Sequence, residues 1–361
     1  MRLARSPYII EIDESGQEGS KVELYFETDI GTSNPTYTLS KLIPSTTNTA
    51  TYYNVSPYAR EYFGFTDWQT GAGLTYGVDT DTNYLVNYEL KKFKLVGSTY
   101  SQVGTTESGT FVDGYNYYMD GYNATTPRVL LDERTYFYNY DASILTSQGN
   151  GVWGSFDCEM NIGDVVKYTD LVSGATFTDT ATSEGVKSYA RVYLTYAPNG
   201  NKVEFLAGGT TVIWTAYFKP QCEPKYQPVV IDFINRYGSW SRIFFQKVKK
   251  RSIQIKANEY KFNPKTLPYT SSHNGQYKEF NINGKEIIKL NTGWVNDDYA
   301  DYLQELLFSE RITLLDYEVN TEYVPVKVKK KSLQKQTGLN DGMINYSLDF
   351  EFAYDMINNV L

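Results

Sequence analysis

The run Asp79-Thr-Asp-Thr-Asn83 puts side-chain oxygens at alternate positions, which is how a calcium loop begins. The pattern then fails. Its sixth position is Tyr84, where the sharp turn needs glycine, and its twelfth is Leu90, where a bidentate carboxylate is needed. The stretch reads as a polar loop. Asp297, Asp298 and Asp301 form a second acidic group, at the start of an expected helix. Acids there complement the positive end of the helix dipole more simply than they ligate a metal.

Nucleophilic chemistry finds little support. The single histidine, His273, sits in a Ser-Ser-His-Asn-Gly turn, a poor setting for a Ser-His-Asp or Cys-His site. Cys158 and Cys222 make neither a disulfide framework nor a zinc site, and two buried thiols are expected. The chain has no G-x-S-x-G, no phosphate-binding glycine loop, no H-E-x-x-H and no dinucleotide fingerprint. A glycosidase needs only two carboxylates, and 42 acids are available, but no local motif singles out a pair. The expectation is no enzyme, no cofactor and no metal.

Two basic runs remain, at 247–256 and 327–331. On a strand, Lys247, Lys249 and Arg251 share one face while Val248 and Lys250 share the other. The first group could contact phosphate. An edge strand guarded by lysines gives the same pattern and is the preferred reading.

The elements around these residues are mostly strands. Tyr is unusually abundant, 34 residues against 18 Phe and 5 Trp, and Tyr suits a pleated surface with one wet edge. With 27 Gly, this points to an all-β protein, mainly antiparallel β-sandwich domains. At 361 residues the chain is long enough for two or three domains. The expected division is an N-terminal β-sandwich-like domain, 1–130; a strand-rich middle region, 131–228, open to being an insertion; and a C-terminal β domain, 229–361. Three prolines within 219–228 mark the last boundary. The net charge of −8 is uneven: residues 1–228 hold 26 acidic and 16 basic residues, residues 229–361 hold 16 and 18. The acidic part argues against a general nucleic-acid binder. No apolar run is long enough to span a bilayer, and the N-terminus lacks the apolar stretch of a signal peptide.

Strands are expected at 8–12, 21–26, 35–40, 51–55, 83–96, 129–131, 135–138, 211–217, 229–234 and 240–245. Residues 188–196 and 202–206 read as a hairpin around Asn199-Gly200, and Gly149-Asn-Gly151 as a turn. Ser56 and Pro57 read as N-cap and first residue of a short helix at 58–63. One amphipathic C-terminal helix, 297–308, is expected on or beside a sheet. Tyr299, Tyr302, Leu303, Leu306 and Leu307 form its apolar stripe, with Asn296 as N-cap. At 344–354, Tyr346, Leu348, Phe350, Phe352 and Tyr354 alternate with more polar residues, which is a strand with one apolar face.

Particular runs carry a resemblance. Residues 5–12, 22–26, 35–41 and 53–62 at one end, with Asn235-Arg-Tyr-Gly-Ser-Trp240, Leu290-Asn-Thr-Gly-Trp-Val295 and residues 340–352 at the other, resemble tail structural proteins of phages infecting Bacteroidetes, including the crAss-like phages. Residues of roughly 80–230 lie outside the resemblance. It implies a virion protein, one copy of a homo-oligomeric ring or barrel in a short tail, assembled in the host cytoplasm beside neighbouring tail proteins on the portal or fibre side. DNA contact is expected only through a basic strand facing a lumen. Candidate interface residues are Tyr299, Leu303, Leu306, Phe350 and Phe352, on the helix and on exposed edges of 344–354. The alternative is a receptor- or glycan-binding tail protein or adhesion module, with Tyr115, Tyr117 and Tyr118 in the Gly- and Tyr-rich stretch 109–124 as its ligand face.

Overall fold

Alternating apolar and polar residues build most of the strands in the computed structural model. It describes residues 1–43, 49–64, 76–79, 84–140, 153–221, 226–261, 276–296, 298–316, 323–334 and 344–358. The fold is all-β. Residues group into two units, Met1–Cys222 with Asp232–Ile243, and Glu223–Ile231 with Phe244–Leu361. The main run of the first unit thus ends inside the proline-rich stretch 219–228. His273, Cys222, Asp297, residues 80–83 and the turn 149–151 lie outside the described residues.

The N-terminal unit begins with β1 Arg2–Leu3, β2 Ile9–Ile12, β3 Gly19–Phe26, β4 Tyr37–Leu42, β5 Thr51–Asn54, helix α1 Ser56–Ala59, β6 Tyr76–Asp79, β7 Leu85–Val96 and β8 Thr99–Val112. One sheet runs β1-β8-β7-β3-β4, and β2 pairs with β5 in another. Val22, Leu24 and Phe26 point inward beside Val86, Tyr88 and Leu90, and join Ile10, Ile12, Tyr53 and Val55 in one core. Each such side chain contributes about 1.5–3 kcal/mol by leaving water. The Tyr53 hydroxyl donates to the Ser20 carbonyl at 2.9 Å, so its polar tip is satisfied inside.

Ser56 does not cap a helix through its side chain. Helix α1 begins at Ser56 itself, with Pro57 in its first turn. The Ser56 hydroxyl instead donates to the Ser6 carbonyl at 2.6 Å and accepts the Tyr8 N–H at 3.0 Å. Those partners lie about fifty residues away in sequence, where local capping logic does not look.

The unit continues with β9 Thr135–Asn139, β10 Ser155–Met160, β11 Val165–Asp170, β12 Thr176–Thr180, β13 Gly185–Ala190, β14 Asn201–Ala207 and β15 Thr211–Gln221. These form sheets β10-β13-β6 and β12-β11-β14-β15-β9. Aromatic rings join them: the Phe156 ring stacks on Tyr189 at 6.0 Å and lies 5.2 Å from Trp214. The expected hairpin around Asn199-Gly200 is not formed. Strand β13 stops at Ala190 and pairs with β10, while β14 pairs with β11 and β15. Buried Arg191 and Asn201 replace the ladder. Arg191 donates to the Ser155 and Arg242 carbonyls, and Asn201 accepts from Tyr193 N–H and donates to the Arg191 carbonyl. Residues 129–131 are buried but make only an isolated bridge, Val129 to Cys158. Cys158 is a free buried thiol, pushed well up by burial.

The remaining strands are β16 Val229–Ile234, β17 Trp240–Phe245, β18 Lys250–Lys261, β19 Tyr277–Val295, β20 Ile312–Asp316, β21 Val324–Val328 and β22 Ile344–Phe352, with helix α2 Tyr299–Phe308 between β19 and β20. The order of their sheet is β17-β16-β20-β21-β22-β19-β18. Every residue of β16 and β17 is buried, the polar Asp232, Ser241 and Arg242 among them. Asn235-Arg-Tyr-Gly238 turns the chain between them. Asn235 Oδ1 accepts the N–H groups of Tyr237 and Ser239. Gly238 has φ +82°, and a Cβ there would meet the Asp113 nitrogen at 2.8 Å, so only glycine fits.

Helix α2 buries Tyr299, Tyr302, Leu303, Leu306 and Leu307, the stripe read from the sequence. Its cap position is Asp298, and Asn296 offers its backbone carbonyl to the Tyr299 N–H. Strand β22 alternates with Ile344, Tyr346, Leu348, Phe350 and Phe352 buried, but it ends at Phe352, and Tyr354, expected on the same apolar face, is exposed. It is not an edge: β21 pairs on one side and β19 on the other.

Candidate functional site

Strands β18 and β19 are antiparallel over most of their length. The next strand, β22, reaches β19 only from Ile287 to Val295. Met356 N–H donates to the Gly284 carbonyl, and Ile357 bonds with Asn283. Beyond Asn283, among the described residues, the strands form a ribbon whose ladder partners are only each other. Five residues of β18 and six of β19, at 3.4 Å each, make that part about 17–20 Å long. All twelve residues of β18 are exposed, as are Tyr277 to Phe280 and the two residues after them.

These strands are not polar. On β18, just before the ribbon, Ile253 is 57% exposed and Ile255 67%, and in the ribbon Tyr277 is 60% exposed, with Tyr260, Phe280 and Ile282 exposed too. A two-stranded ribbon alone in water is marginally stable, and these rings and branched chains gain nothing from facing solvent. The cross-strand Tyr260–Phe280 edge contact at 5.6 Å and Lys261 over the Tyr277 ring stiffen it locally.

Its root is fixed by charge. The buried Asp316 carboxylate takes Lys249 Nζ at 2.6 Å and Arg251 Nη2 at 2.7 Å, and Arg251 also reaches Glu286 at 2.6 Å. Two of the three cations expected on a phosphate face are therefore turned onto a carboxylate. Lys250, on the opposite face, is exposed, and β18 is the edge strand of its sheet.

In the N-terminal unit, Tyr115, Tyr117 and Tyr118 are brought close but not equally presented. Tyr115 is half-buried beneath the Arg5 guanidinium, 4.9 Å from its centroid, and meets Tyr117 edge-on at 6.0 Å. The Tyr117 N–H donates to the Asp120 carboxylate, closing a tight turn that throws Tyr118 outward, 97% exposed. Nearby in sequence, Tyr122 lines a cleft of about 470 Å³ with Arg2, Tyr8, Glu11, Tyr52 and Glu107.

At that cleft the Glu107 carboxylate is already engaged. Tyr8 and Tyr88 hydroxyls both donate to Glu107 Oε1. Arg2 lies 3.5 Å from the same carboxylate and 4.4 Å over the Tyr8 ring. Burial first, then the bond to Glu107, pushes the Tyr8 phenol well up, so it stays a neutral donor. The network holds the cleft wall together and offers no activated nucleophile.

The candidate interface residues are core residues of the chain itself: Tyr299 is buried, Leu303, Leu306 and Phe350 are fully so, and Phe352 nearly so. Asp79, the first residue of the calcium-like run, accepts from the Lys187 ammonium. Among the described residues no three His, Cys, Asp or Glu side chains are grouped to hold a metal ion, and no helix is long and apolar enough to cross a membrane. Sequence reasoning missed the exposed apolar residues of the ribbon. Their alternation looks like that of a half-buried strand, and only the reach of the neighbouring strand shows otherwise.

Compared with known protein families, curated proteins and solved structures, the chain has no match.

Proposed function

We propose that this chain is a virion structural protein, a subunit of an oligomeric ring or barrel in a short phage tail, which acts by assembly and not by turnover. The observation that carries the reading is the ribbon of β18 and β19, whose exposed apolar residues need a partner surface to be stabilised. The resemblance of both chain ends to tail proteins of Bacteroidetes-infecting phages supports placing that assembly in a tail, beside other tail proteins, after synthesis in the host cytoplasm. In a ring each subunit makes the same contacts as its neighbours, so moderate interfaces close into a stable whole. Negative-stain imaging of the purified chain, alone and mixed with the other virion proteins, tests this. Rings are the expected result; particles that never associate under either condition contradict it.

A second reading, a glycan- or receptor-binding tail protein, is favoured by the exposed Tyr118 and by Tyr122 at the cleft mouth. Aromatic faces of this kind stack on sugars. Glycan-array binding abolished by changing Tyr115, Tyr117 and Tyr118 to Ala is its expected signature.

A further inference from the structure

The charges of the ribbon and of the N-terminal unit are opposite. Residues 250–283, which span all of β18, the connection and the ribbon part of β19, hold six Lys and Arg against two Glu. Lys250, Lys256 and Lys261 are exposed along β18. Residues 1–228 hold ten more acids than bases. The acid excess is densest from the end of β2 to the start of β3, where Glu11, Asp13, Glu14 and Glu18 fall within eight residues that contain no Lys or Arg. Glu11, Asp13 and Glu18 are exposed and Glu14 partly so. Their hydrogen bonds go to neutral donors: Glu11 accepts from the Tyr52 hydroxyl at 3.0 Å, Asp13 from Thr49 at 2.7 Å, and Glu18 from the Gly97 N–H at 3.0 Å. Among the described residues none of the four makes an ion pair.

We infer that the occupant of the ribbon is a second copy of this chain: the basic ribbon of one copy docks on the acidic 11–18 segment of the next. This rests on the assembly reading and gives it a partner and a polarity. The contact joins two different patches, so it runs head to tail. Such contacts propagate into a ring when the rotation closes and into a filament when it does not. Opposite charge steers the encounter and sets the register. Ile253 and Ile255 lie on the face of β18 opposite Lys250 and Lys256, so the ribbon also offers exposed apolar area on its other face.

The test is a charge swap read by light scattering at low salt. One variant carries K250E, K256E and K261E; the other carries E11K, D13K and E14K. All six changes are at exposed or partly exposed positions, and circular dichroism verifies that each variant is folded. Each variant alone should self-associate on the order of 100-fold more weakly than the natural chain, because like charges are brought together. Mixed together they should form complexes, since the reversed ribbon of one matches the reversed segment of the other. A chain carrying all six changes should recover self-association. If the natural chain associates and both variants associate equally well, the docking inference falls while the assembly reading stands. If the natural chain stays monomeric alone but enters rings with other virion proteins, the second copy is also overturned as the partner. Failure to enter rings under any condition removes the assembly reading itself.

Discussion

Arg251 Nη2 lies 2.7 Å from Asp316 Oδ2, and this pair fixes the root of the exposed ribbon to the sheet of the C-terminal unit. Asp316 is fully buried and holds Lys249 as well. Asp316→Ala should therefore destabilise the unit by about 1–3 kcal/mol, since both cations lose the buried Asp316 carboxylate while retaining partial access to water. Urea midpoints measure the loss. Hydrogen exchange should quicken over Lys250–Lys261, and unchanged exchange there would mean the root is held by other contacts.

Exposed and buried apolar residues should behave in opposite ways. Changing Ile253 and Ile255 to Ser should alter folding stability by no more than about 0.5 kcal/mol each, because both already face solvent. Assembly should nevertheless weaken. Leu306→Asp should cost several kcal/mol on the order of a buried-charge penalty, because Leu306 is fully buried. Thermal melts and light scattering on the same samples separate the two effects.

The buried ion pair of the N-terminal unit gives a third expectation. Arg242 Nε and Nη2 bind Asp232 Oδ1 and Oδ2 at 2.8 and 2.7 Å, with both side chains 2% exposed. Arg242→Met alone leaves a buried carboxylate without its counter-charge and should cost about 3–5 kcal/mol. The double change Asp232→Leu with Arg242→Met should recover most of that, as apolar replacements of buried pairs often do. A double variant as unstable as the single one would show that the pair is indispensable to this packing.

Acid should act through Asp170. Backbone N–H donation from Ser173, with further bonds from Asn199 and the Val172 N–H, holds its carboxyl down at about 2. A carboxyl with a depressed folded-state value contributes stability that is complete above its unfolded value, about 3.9, and is lost as pH falls through the folded one. The loss should fall between about pH 4 and pH 2. In Asp170→Asn that part of the acid response should flatten, which urea titrations at pH values on either side of the window would reveal.

The all-β character, the helix stripe and the alternation of 344–352 were legible because each depends on residue spacing within one element. The failures share a different cause. Ser56 bonds to Ser6 and Tyr8, and Asn201 to Arg191, so hydrogen-bond partners distant in sequence or across a turn overrode the local capping and hairpin signals. For the candidate sites the limiting quantity was burial. Leu303 and Phe350 are as apolar as Ile255 and Phe280, yet the first two are core and the second two are exposed. Sequence spacing gives the face on which a side chain lies but not whether another strand covers that face. The lysines of β18 were legible as an edge, and the turning of Lys249 and Arg251 onto Asp316 was not, because Asp316 lies more than sixty residues away.

The most direct test of the central claim is the mass of the purified chain in solution, measured by light scattering across a concentration series. The account predicts a concentration-dependent rise from the 41.3 kDa single chain to a fixed multiple of it, reduced by Ile253→Ser and Ile255→Ser at unchanged melting temperature. A single 41.3 kDa species at every concentration, identical in the two variants and unchanged by the other virion proteins, would contradict it.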